Sequence, residues 1–176
     1  MKVLFLNSLI ALNLCMSVEI SEIKVDRRYA ICDDENVVRL LSIPSYLNSK
    51  GKLTPVAFSL YHSKEDYVSV SRLFYSSKEE CIELGKRIKV WMSKGDKFAG
   101  LAELNAGNIR RISPDRVLLD SKYEEKNKAH AGISFKDENG AVYVNIEKGT
   151  PSPAWLIPFQ QRLCLISKVE KIDLKK

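Results

Sequence analysis

Apolar and polar residues alternate along this chain in two rhythms. In "SVEISEIKV", Val18 and Ile20 alternate with Glu19 and Ser21. In "DYVSVSRLFY", Val68 and Val70 alternate with Ser69 and Ser71. A period of two predicts strands with one buried and one wet face. "RYAIC" and "VVRLL" are short β-rich runs around the turn material "DDEN", and "SIPSYLNSKGKLTP" reads as a loop. "VAFSLY" and "DYVSVSRLFY", joined by "HSKED", predict a hairpin. The other rhythm is helical. In "SSKEECIELGKRIKVWMSKG", Cys81, Leu84, Ile88, Trp91 and Met92 recur at steps of three or four. Ser77 and Glu80 have the spacing of a capping box, and Gly95 stands where a helix stop wants positive φ.

Further on, "FAGLAEL" and "RVLLD" read as strands around a short helical turn in "NAGNIRRISPD". "HAGISFKDENGAVYVNI" predicts a second hairpin, tightly turned at Asn139-Gly140. "TPSPAWLIPFQQRLCLISKVEKI" predicts a helix capped by Ser152. Trp155, Phe159, Leu163 and Ile166 share one face of it, and Pro158 marks a late start or a kink. Strands, helix, strands, helix in this order indicate one α+β domain, a mostly antiparallel sheet packed by two main helices.

Composition narrows this picture. The 176 residues suit a single domain, and 45% apolar with 28% charged residues are globular values. The domain is read as residues 18–168, with a basic tail at 169–176. Residues 1–17, "MKVLFLNSLIALNLCMS", have the outline of a signal peptide or of a dispensable extension ahead of a start at Met16. Asn7, Ser8 and Asn13 make them a poor membrane span. Cys15, Cys32, Cys81 and Cys164 form no C-x-x-C pair and have no histidine at ligand spacing, so neither a metal nor any other cofactor is expected. With the leader removed three cysteines remain, an odd number, and two of the three fall on apolar helix faces. This points to a reducing cytoplasm, with export as the alternative if residues 1–17 are a leader. The net charge of +6 admits an anionic partner, but basic and acidic residues are interspersed rather than gathered in a stripe.

Phosphate-binding glycine loops, H-E-x-x-H and G-x-S-x-G are absent. Candidate chemistry therefore rests on scattered residues. His130 opens a strand and could act as a base or phosphate partner, whereas the loop residue His62 reads as solvated. Ser69 and Ser71 share the face opposite Val68 and Val70. Arg39 interrupts an apolar strand, which is costly unless the guanidinium is paired or at an edge. An arginine strand followed by a Ser-x-Ser strand resembles the layout of ADP-ribosyltransferases. That resemblance implies phosphate contacts for Arg39, support of the nicotinamide end by Ser69, and a ribose-orienting glutamate. Only the isolated Glu103 and Glu147 are available for the last role.

The succession "VVRLL", "PVAFSL", "YVSVSRL", "AHAGI" over residues 37–135 also resembles a pattern of small bacterial proteins without an assigned function. It implies that Arg39, Phe58, Ser69 and His130 gather in one place. Arg110, Arg111, Arg116 and the tail lysines, with Tyr61, Tyr67 or Tyr75, would serve a nucleic-acid surface. The expected function is a small binding or interaction module for another protein or an anionic ligand. The alternatives are an enzyme of transferase or hydrolase type using Arg39, Ser69, Ser71 and His130, and a weak nucleic-acid binder.

Overall fold

The computed structural model of the protein describes residues 26–60, 66–88, 95–145 and 151–172. Six strands, β1 (Asn36–Ile43), β2 (Tyr67–Arg72), β3 (Lys97–Asn105), β4 (Val117–Ser121), β5 (His130–Phe135) and β6 (Lys168–Lys171), form one sheet in the order β4-β5-β2-β1-β3-β6. Every pairing in it is antiparallel. Among the described residues three helices accompany the sheet: α1 (Lys78–Arg87), α2 (Ala106–Ile112) and α3 (Ile157–Ile166). The class is α+β.

The valine–serine rhythm sets the two faces. Val68 and Val70 are each 2% exposed, while Ser69 and Ser71 are half-buried on the other side. Burying each valine gains about 1.5–3 kcal/mol, and burying each hydroxyl without a partner would cost about 1–3 kcal/mol, so both terms select the same register. The valine face carries the main core: Val37 and Leu41 of β1, Leu104 of β3, Ile133 and Phe135 of β5, under Ile109 of α2 and Leu163 of α3. The opposite face holds a smaller cluster of Val38, Phe98 and Leu101 beneath Cys81 of α1. Helix α1 packs chiefly on β1 and β3. The polar stretch of that face, on β2 and β5, lies beside it.

Local chemistry explains the element ends. Ser77 Oγ accepts from Glu80 N (3.1 Å) and Glu80 Oε2 accepts from Ser77 N (2.8 Å), the capping box the spacing predicts. The helix stops at Arg87, because Ile88 already has extended backbone, so it ends short of Gly95; Trp91 and Met92 lie outside the described residues. Pro158 occupies the first turn of α3, where its missing N–H costs nothing, so the proline marks a late start. Ser152 is not the cap; its hydroxyl accepts from Gln160 Nε2 (2.8 Å).

Several expectations are overturned. "RYAIC" is a turn followed by irregular chain, and its polar groups serve other residues: the Ala30 and Ile31 carbonyls accept from arginine side chains. "VAFSLY" forms no hairpin arm, since Pro55–Phe58 is a 3-10 turn that buries Ala57 and Phe58; β2 pairs instead with β1 and β5. The turn after β5 is three residues long. Asp137 N–H donates to the Ala141 carbonyl (2.9 Å), and Gly140 takes the positive φ of 80° that such a loop needs. Its return arm is reduced to the single bridge Lys136–Val142. Lys168–Lys171, read as helix end and tail, is strand β6, which closes on β3 at Gly100. The 18–25 strand and the leader lie outside the described residues.

Candidate functional site

The site begins where the β1–β2 ladder gives out. These strands pair at Val37–Arg72 and Val38–Ser71. Continuing that register would set Leu40 opposite Ser69. Instead the guanidinium of Arg39 reaches across. Its Nη1 donates to the Ser69 carbonyl (2.7 Å), its Nε to the Ala57 carbonyl (3.1 Å) and its Nη2 to the Tyr46 hydroxyl (3.2 Å). It also lies over the Tyr46 ring, 5.3 Å from the centroid. An arginine in an apolar strand is thus accommodated by carbonyl and phenol acceptors. No carboxylate pairs with it among the described residues. The three bonds use three of the five N–H groups of the fork, leaving two without a partner among the described residues.

The opening is a pocket of about 310 Å³. Arg39, Ser69, Ser71 and His130 all line it, with Tyr46 and Asn127 beside them and Leu84 of α1 and Ile88 just past its end as the apolar wall. Ser71 and His130 are register partners on β2 and β5, and Ser69 is opposite Gly132, so both serines and the histidine share one face. Ser69 Oγ and His130 Nε2 are 3.1 Å apart. With the ring proton on Nδ1, the hydroxyl donates and the imidazole accepts. Tyr67, one step further along the same face, meets His130 edge-on at 5.6 Å, and Lys122 Nζ stands 4.7 Å from the Tyr67 ring centroid. This packing requires Gly132, because a Cβ there would fall 2.6 Å from the Tyr67 ring.

Not every expected residue arrives. Phe58 is fully buried in the core, and its neighbour Ala57 supplies the carbonyl that holds Arg39. Glu103 lies on β3 and is tied to Lys78 (2.6 Å) and Asn36 Nδ2 (3.0 Å), not to the pocket; hydrogen bonding to it raises the Lys78 ammonium pKa. His62, Tyr61 and Glu147 lie outside the described residues. The glutamate of the ADP-ribosyltransferase layout is therefore missing from the described pocket lining.

Of the basic residues considered for nucleic acid, the three arginines are engaged within the chain. Arg110 binds Asp33 and the Ile31 carbonyl. Arg111 binds Asn108. Arg116 donates to the Lys136 carbonyl (3.0 Å) and stacks on Trp155 and Phe159 at 5.0 and 5.1 Å.

The sequence reading passes over two features. Arg72 continues the Val68–Val70 series onto the core side and is fully buried, gripped by both oxygens of Glu35 (2.9 Å each from Nη2) and by the Arg27 and Ala30 carbonyls. A charge in step with two core valines was the available signal. The lining residues Tyr46 and Asn127 come from loops and carry no periodic signal.

Two larger grooves, of about 540 and 550 Å³, run beside α3. Lys52 is the one charged residue described in their linings, and Cys164 in one of them is held as the thiol, its pKa pushed up to about 11 by burial. They are rich in apolar surface and poor in chemistry. Among the described residues there is no cluster of metal-ligating side chains, and no helix is long and apolar enough to cross a membrane. Comparison with known proteins finds no family model, no curated protein and no solved structure that matches this chain.

Proposed function

We propose that this protein is a binding module and that its ligand is a small anion, a carboxylate or a phosphate, held by Arg39 in the pocket between β1 and β2. The observation that carries the reading is the half-buried Arg39 guanidinium, two of whose N–H groups have no partner among the described residues. Arg39 lines a cavity whose described lining contains no carboxylate. A guanidinium fork matches a carboxylate or phosphate in two-pronged geometry, and partial burial strengthens the attraction relative to bulk water. Ser69, Ser71, Asn127 and His130 supply further hydrogen-bonding groups around the cavity. A volume of about 310 Å³ sits at the small end of ligand sites and suits a compact metabolite rather than a dinucleotide.

Calorimetric titration with inorganic phosphate and with succinate tests this reading. Saturable binding to the native protein, weakened at least tenfold in Arg39→Lys, is the expected outcome. Arg39→Lys keeps the charge and loses the fork, so it separates two-pronged recognition from simple attraction. Binding unaffected by Arg39→Lys, or no saturable binding of either anion, removes the proposal.

A second reading, a protein-interaction module, has its own observation. Ile157 and Leu165 on one side of α3, with Val56 nearby, are 40%, 84% and 41% exposed, an apolar strip beside the two grooves. Paired substitution Ile157→Glu and Leu165→Glu would abolish association through this strip and leave phosphate binding unchanged.

A further inference from the structure

We propose that Ser69 is a nucleophile, activated by His130, and that the pocket transfers the acyl group of a small anionic ester to water. This deepens the anion-site reading and rests on it, because Arg39 is the group that anchors the substrate's carboxylate or phosphate.

Ser69 Oγ and His130 Nε2 stand 3.1 Å apart, the hydrogen-bond distance of a nucleophile and its base. Both sit on paired strands and not on loops: β2 and β5 fix Ser69 opposite Gly132 and Ser71 opposite His130. A pair mounted on a sheet keeps its geometry without induced order. The imidazole is braced on its own face by the Tyr67 ring, which can lie across β5 because position 132 lacks a Cβ. Ser69 is held from the backbone side as well, since its carbonyl accepts from Arg39 at 2.7 Å. One guanidinium therefore bridges the strand that carries the hydroxyl and the space a substrate would fill. Leu84 of α1 and Ile88 just past its end close one wall and limit the acyl and leaving groups to a few carbons.

The chemistry balances within this set. The Ser69 hydroxyl oxygen attacks the ester carbonyl carbon, forming the Oγ–C bond. The proton passes to His130 Nε2. The ester C–O bond then breaks, and the imidazolium gives its proton to the departing alkoxide. Water repeats the sequence in reverse: it attacks the acyl-serine, loses its proton to His130, and the acid leaves as Ser69 regains its hydrogen. The reaction is a hydrolysis and needs no oxidant, reductant or further co-reactant.

The test uses the full chain and a fluorophosphonate probe, which forms a P–O bond with an activated serine and releases fluoride. Intact mass and peptide mapping should find one adduct, on the peptide holding Ser69. It should be absent in Ser69→Ala, form at least tenfold more slowly in His130→Gln, and be slowed by inorganic phosphate. Mapping on the native protein carries the result even if a variant fails to fold. Absence of an adduct, or adducts spread over serines at the rate seen in denatured protein, overturns the inference. If phosphate still binds through Arg39 while Ser69 does not label, acyl transfer is excluded and the anion site stands. If Ser69 labels at a rate that phosphate does not change, the nucleophile stands and the anchoring role of Arg39 is lost.

Discussion

Replacing Glu35 by glutamine should be among the most damaging conservative changes available in this fold. The substitution keeps the shape and one acceptor oxygen but removes the only carboxylate that grips Arg72 among the described residues. Arg72 is 0% exposed and Glu35 5%. The guanidinium would remain charged, held by the Arg27 and Ala30 carbonyls and the Ser121 hydroxyl at 2.8, 3.0 and 3.3 Å. Those neutral acceptors satisfy its geometry without neutralising it. Removing one member of a buried pair costs about 3–5 kcal/mol, a large part of the about 5–15 kcal/mol that holds a typical domain together. At about 2–4 °C per kcal/mol for a chain of this size, the melting temperature should fall by about 6–20 °C. Scanning calorimetry with guanidinium denaturation at constant pH measures it. The double substitution Glu35→Leu with Arg72→Met should recover part of the loss, because it removes the uncompensated charge while leaving three acceptors unserved. A fall of less than about 2 °C in Glu35→Gln would refute the reasoning, since it would mean that the pair is solvated enough to dispense with its negative member.

Other substitutions probe the face and edge that frame the pocket. Gly132→Ala places a Cβ 2.6 Å from the Tyr67 ring, so the ring must move; a loss of about 1–3 kcal/mol is expected, together with changed His130 ring-proton shifts by NMR. Gly100→Ala sets a Cβ 2.1 Å from the Glu170 carbonyl oxygen at a φ of 151°, and should release β6 from β3. Hydrogen exchange should quicken at Lys168–Lys171 while β5 stays protected. Burial raises the Cys164 thiol from 9.0 to about 11. Iodoacetamide at pH 8 should therefore alkylate it about 100-fold more slowly in the folded chain than in urea, read on the Cys164 peptide, because the thiolate is the reactive form. The sign for stability follows: the folded state holds this proton more tightly, so the contribution is complete below pH 9.0 and is lost as pH rises toward about 11.

Much of the pocket was legible before any coordinates because it depends on parity. Once Val68 and Val70 are assigned to the core, Ser69 and Ser71 must face the other way, and a histidine opening the next paired strand can meet them. The capping box at Ser77 and Glu80 was legible for the same reason: its chemistry is local and its spacing fixed. What the sequence hides is the partner across distance. Glu35 and Arg72 lie 37 positions apart, and nothing in either segment announces the other. "VAFSLY" has strand composition, yet Pro55 opens a 3-10 turn that seats Phe58 in the core, so tertiary burial overrides local preference. "KVEK" looks like a charged tail because an edge strand of four residues exposes most of its side chains. The resemblances grouped Arg39, Ser69 and His130 together with Phe58. The first three line one pocket, and Phe58 is core.

The central claim is that Arg39 stands in an opening of the sheet with part of its fork turned to the cavity. The Arg39 Nε–H resonance reports this directly, since that proton is bonded to the Ala57 carbonyl at 3.1 Å. In a ¹⁵N-edited titration with inorganic phosphate, the Arg39 guanidinium signals should be protected from exchange at the start. They should then shift saturably, in step with the Ser69 and His130 amides. Arg39 signals that exchange as freely as those of a surface arginine, or that stay fixed while phosphate perturbs the protein elsewhere, would contradict the account.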